Sequence, residues 1–105
     1  MMRYDHVGGK FFSAVRYLAA GTESLQDRVT QAVNELSRLR DNEMPPALRS
    51  RFAALIRQTA SLQSENQHQI DTPPAVALTD VQASKIAEEI VALFRSIATT
   101  PRDSE

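Results

Sequence analysis

Apolar residues recur at intervals of three and four in four separate segments of this chain, and glycine or proline stands in each gap between those segments. Side chains three and four residues apart share one face of an α-helix, so each segment can present one oily stripe and none can stand alone in water. Glycine and proline then mark where the chain turns. A chain with this pattern is restricted to packing helix on helix. The expectation is an all-α fold, a small up-down bundle of four helices forming one domain over residues 1–105, with the last helix joined by a long polar linker.

The first helix is expected over about 9–20, with Phe11, Phe12, Val15, Leu18 and Ala19 on one face. Gly21 should stop it, since glycine reaches the left-handed conformation cheaply just past a helix end. Thr22 or Ser24 can cap a second helix over about 24–40, where Ser24-Leu25-Gln26-Asp27 approximates a capping box. Leu25, Val29, Ala32, Leu36 and Leu39 step along it, with Val33 beside them. Pro46 reads as the opening of a third helix over about 46–63, because proline is tolerated only in a first turn. Leu48, Phe52, Leu55, Thr59 and Leu62 carry its stripe, with Ile56 alongside. Residues 64–79 lack a period and contain Pro73-Pro74, so they are expected as a linker. Thr79-Asp80-Val81-Gln82 is the clearest capping box, opening a fourth helix over about 80–98. Ala83, Ile86, Ala87, Ile90, Leu93, Phe94 and Ile97 give that helix the widest apolar face, and residues 99–105 read as a disordered tail.

Composition narrows the chemistry. The chain has no cysteine, which removes disulfides, thiolate nucleophiles and cysteine zinc sites. Its formal net charge is −1, so no overall field recruits nucleic acid or an anionic membrane. Apolar runs reach only four or five residues, whereas a spanning helix needs about 20. No membrane association and a cytoplasmic location are the default expectations.

Few residues are placed for catalysis. Gly8-Gly9-Lys10 lacks the earlier glycine and following hydroxyl of a phosphate loop, whose places hold Tyr4 and Phe11, and it is expected as an N-terminal turn. His6 and His68 are the only histidines and lie in different segments, too few ligands for a metal. Glu88 and Glu89 point about 100° apart on a helix, a solvated face on which Glu88 can reach Lys85. The corner at Gly21 has Tyr17 and Asp27 where a helix-turn-helix DNA reader needs a small residue and a buried aliphatic. The arginine-to-histidine spacing of small helical RNases is also absent, since Arg57 is far from His68 and Arg3 is too close to His6. No catalytic residue, metal site, cofactor or small-molecule substrate is expected.

Two features point to partners. Arg38, Arg40, Arg49, Arg51 and Arg57 cluster around the corner between helices two and three. Residues 1–63 carry nine bases against six acids, and residues 64–105 carry three against seven. The corner can therefore dock on the acidic last helix, stay solvated, meet an acidic protein, or bind nucleic acid through the planar guanidinium fork. The second feature is the width of helix four, with Phe94 at its edge; a face wider than the other helices can cover would be closed by a homodimer. The reading is a non-enzymatic protein-interaction module with Arg38, Arg40, Arg49, Arg51 and Phe94 as partner-binding residues. The alternative is a small nucleic-acid regulator working through the arginine corner.

Overall fold

A computed structural model of the chain describes residues 5–67 and 78–99. Four helices form: α1 (Asp5–Ala20), α2 (Leu25–Leu36), α3 (Arg49–Gln67) and α4 (Asp80–Ala98). Two 3-10 turns, Asp41–Glu43 and Pro46–Leu48, connect α2 to α3. Among the described residues there is no strand, and the fold is an all-α bundle.

The boundaries follow local chemistry, with four departures from the sequence expectation. First, α1 begins a turn before Gly9, which turns Val7 inward to 2% exposure. Gly8-Gly9-Lys10 is thus helix interior rather than a turn, and Lys10 Nζ meets Glu35 of α2 at 3.0 Å. Second, Gly21 does not take a positive φ. A Cβ there would lie 2.8 Å from the carbonyl oxygen of Tyr17 and 2.8 Å from Cδ of Arg28, so the position needs glycine for room. Third, α2 ends at Leu36, where Ser37 caps it through its N–H to the Val33 carbonyl and its hydroxyl to the Asn34 carbonyl. Serine offers the backbone this alternative partner, and the chain turns there; Leu39 still reaches the core from the turn. Fourth, Pro46 opens a 3-10 turn that leads into α3, and α3 runs on to Gln67. Nothing breaks a helix between Ser64 and Gln67, so the first part of the expected linker is helical. The rest of that linker up to residue 77, and the expected tail from residue 100, lie outside the described residues.

The caps were placed well. Ser24 Oγ accepts from the Asp27 N–H at 3.1 Å. Thr79 Oγ1 accepts from the Gln82 N–H at 3.1 Å while Gln82 Oε1 accepts from the Thr79 N–H at 3.0 Å, a reciprocal box that fixes the first residue of α4.

Successive helices alternate in direction. Lys10 near the start of α1 meets Glu35 near the end of α2, Thr30 of α2 meets Gln63 late in α3, and Arg51 early in α3 meets Glu89 of α4. Gly8 lies beside Ile97 and Phe12 beside Phe94, so α4 runs opposite to α1 as well. α4 packs on all three other helices. Its Ala83, Ile86, Ile90, Leu93 and Ile97 close the core over Phe11, Ala14, Val29, Ala32, Leu36, Phe52 and Leu55. The rings of Phe11 and Phe52 meet at 6.1 Å with a 58° tilt, a favoured aromatic geometry. The one buried polar side chain described, Thr59, donates its hydroxyl to the Leu55 carbonyl at 2.8 Å.

Candidate interaction surface

The arginine corner divides into engaged and free side chains. Arg49 turns back on its own loop: Nε donates to the Met44 carbonyl at 3.2 Å and a terminal nitrogen to the Asn42 carbonyl at 3.4 Å. It thereby ties down the segment whose Met44 is fully buried. Arg51 docks on α4, where Nε and a terminal nitrogen donate to the two carboxylate oxygens of Glu89 at 3.1 and 3.0 Å. These two hydrogen bonds, with a smaller contribution from the charge of Glu89, hold the Arg51 guanidinium above its ordinary pKa. Arg38, Arg40 and Arg57 are exposed, and their guanidiniums make no pair among the described residues. The Arg40 backbone N–H donates to Glu43 Oε1 at 2.7 Å.

A further arginine, Arg28, was not singled out in the sequence and has a clear task. It reaches from α2 to the C-terminal end of α1, donating to the Leu18 carbonyl at 2.6 Å and to the Glu23 carbonyl at 3.0 Å. A cation on the last carbonyls of a helix satisfies acceptors that have no partner inside it and complements the helix dipole. The spacing that seats it, seven residues past Gly21, is local and legible only once the turn is known.

Phe94 lies about 140° around α4 from Glu89, so the structure separates it from the arginine corner. It is half-buried, and its ring meets that of Phe12 at 6.2 Å. Phe12 corrects the expected α1 stripe: it is 53% exposed. Phe11 and Phe12 are neighbours, so they point about 100° apart and only one can face the core. Val91, three residues before Phe94 and on the same side of α4, is 47% exposed. Toward the other end of this seam, Leu18, Leu25, Ser84, Ala87, Glu88 and Val91 line a shallow, mostly apolar groove of about 360 Å³. An apolar strip therefore runs along the α1–α4 seam from Phe12 and Phe94 through Val91 to Ala87, Leu18 and Leu25. Arg16, Glu88 and Arg95 are exposed along its borders. Lys85 makes no ion pair with Glu88, and neither Glu88 nor Arg95 has an ion-pair partner among the described residues. The signal for Val91 was present in the sequence as a large apolar residue just outside the core stripe of α4.

Another interhelical groove, about 300 Å³ between α3 and α4, is lined by Leu55, Gln58, Leu62, Gln82, Lys85, Ile86 and Glu89. His6 stands exposed with Nε2 3.8 Å from Glu43 Oε2, and His68 lies outside the described residues. Among the described residues no group of His, Asp and Glu is placed to hold a metal ion, and no helix is long and apolar enough to cross a membrane. Every buried side-chain nitrogen and oxygen described has a partner. Comparison with protein-family models, with curated proteins and with solved structures gives no match.

Proposed function

We propose that this chain is a non-enzymatic helical interaction module that docks a protein partner on the α1–α4 seam. The observation that carries the proposal is the row of Phe12, Phe94 and Val91 on one face, with Phe12 and Val91 exposed and the half-buried Phe94 ring set against that of Phe12. Single exposed apolar residues are ordinary, but a contiguous row bordered by charges is the usual form of a protein contact. The arginine corner becomes a weaker candidate for partners, protein or nucleic acid, because Arg49 and Arg51 are already engaged with groups of this chain.

The test is affinity capture from the cell that makes the protein, comparing the natural chain with Val91→Glu. Val91 is at the surface, so the substitution leaves the fold intact while placing a charge in the middle of the strip. Proteins held by the natural chain and lost by the variant are the expected result. A set of captured proteins indifferent to Val91→Glu, yet lost on reversing the charge of Arg38 and Arg40, would move the site to the arginine corner.

A further inference from the structure

The exposed flank of α4 carries a seven-residue spacing centred on Val91. Ser84, Val91 and Ala98 are spaced by seven residues, and so are Glu88 and Arg95; all five are exposed. A seven-residue spacing keeps side chains on one line along a helix that packs against another helix. Val91 stands at the middle of the line. The small Ser84 and Ala98 stand at its two ends, where they let a second backbone approach closely. Glu88 precedes Val91 by three residues and Arg95 follows it by four.

These positions have a consequence for symmetry. In an isologous contact each residue i that meets residue j of the second copy is matched by j meeting i. A two-fold axis beside Val91 lays one α4 antiparallel on another. Glu88 of one copy then falls within about one residue's rise, ~1.5 Å, of level with Arg95 of the second copy, and the reverse pair forms with it. Two ion pairs thus border a Val91–Val91 contact, and Phe12 and Phe94 flank it on the α1 side. In a monomer neither of these charges has an ion-pair partner among the described residues.

We infer that the occupant of the α1–α4 seam is a second copy of this chain, docked α4 against α4 in antiparallel register with reciprocal Glu88–Arg95 contacts. This rests on the reading of the seam as a protein-docking surface and names its partner. The opposed charges fix the register, which is the usual contribution of border charges at an apolar contact.

The chain has no cysteine, so one introduced thiol reports on the dyad cleanly. Val91→Cys should form an intermolecular disulfide under mild oxidation, because a residue on the axis meets its own copy at disulfide distance. Ser61→Cys, on the exposed side of α3, should not. In a light-scattering dilution series from micromolar to millimolar, the natural chain should dimerise. Glu88→Arg alone and Arg95→Glu alone should each weaken the dimer by roughly tenfold, since both symmetry-related contacts become like-charge. The double exchange Glu88→Arg/Arg95→Glu should restore it. Restoration separates a specific antiparallel register from mere stickiness of an apolar patch.

A chain that stays monomeric at millimolar concentration overturns the inference, as does a double exchange no better than the single ones, or equal cross-linking at residues 91 and 61. A monomer whose captured proteins still depend on Val91 overturns the second copy alone. A monomer with no Val91-dependent partner overturns the seam reading as well.

Discussion

The guanidinium of Arg51 grips the carboxylate of Glu89 with two hydrogen bonds, at 3.1 and 3.0 Å, and joins the start of α3 to the middle of α4. The pair is partly exposed, with side chains 45% and 35% accessible. Exposed pairs contribute ~0.2–1 kcal/mol, and two-point geometry places this one toward the upper end. Arg51→Ala should lower unfolding stability by about that amount in dilute buffer and by much less at molar salt. Urea denaturation at the two salt concentrations, in a double-mutant cycle with Glu89→Gln, gives the coupling directly. Pairing raises the folded-state pKa of the guanidinium, so its contribution is fully present below the unfolded value and is lost only as pH rises through the titration of arginine itself. Salt, not working pH, governs this contact.

The cap of α4 is a second measurable joint. Thr79→Ala removes the acceptor for the Gln82 N–H and should cost about 1 kcal/mol, read as a shift in urea midpoint with unchanged slope. Thr79→Ser keeps the hydroxyl and should stay close to the natural chain. A Thr79→Ala protein as stable as the natural one would show that α4 is held by packing alone.

Gly21 tests whether its role is room or backbone freedom. Gly21→Ala puts a methyl 2.8 Å from the Tyr17 carbonyl oxygen and against the Arg28 stem. The neighbours must shift, at a cost of about 1–3 kcal/mol. Because φ at Gly21 is not positive, shortening Arg28 should recover only the part of this loss that comes from its side chain. Thermal unfolding of Gly21→Ala, Arg28→Ala and the double variant separates the two neighbours.

Core and buried-polar substitutions should diverge sharply. Phe52, 1% exposed and packed at a tilt against Phe11, should lose about 3–5 kcal/mol on truncation to alanine, a large part of the ~5–15 kcal/mol available to a domain of ordinary stability. Thr59→Val should be nearly neutral. The hydroxyl bonds only to a carbonyl one turn back in its own helix, and valine has the same shape. A strong loss on Thr59→Val would point to a polar role at this site that its single described bond does not explain.

The four-helix plan was legible because Gly21, Pro46 and the Thr79 box punctuate stripes that are themselves strong. What was not legible was rotation: which of two adjacent apolar residues wins the core. Phe11 and Phe12 are chemically identical, and only the placement of α4 decides that Phe11 is buried and Phe12 half-exposed. The same ambiguity hid Val91, which periodicity sets outside the core but cannot place beside Phe12 and Phe94. The arginine corner was visible as composition. Its division into engaged Arg49 and Arg51 and free Arg38, Arg40 and Arg57 depends on where backbone carbonyls and Glu89 lie after folding. The early start of α1 goes with the burial of Val7, and the longer α3 with the absence of a helix breaker from Ser64 to Gln67, neither of which residue spacing alone resolves.

α4 packs on α1, α2 and α3 and is also translated after them. Until Ile97 has left the ribosome, the inward faces of Phe11, Leu36 and Phe52 have no roof, and an emerging chain must carry that exposed oil through most of its synthesis. Shielding of nascent chains by chaperones should therefore matter most in the interval between delivery of α3 and delivery of α4.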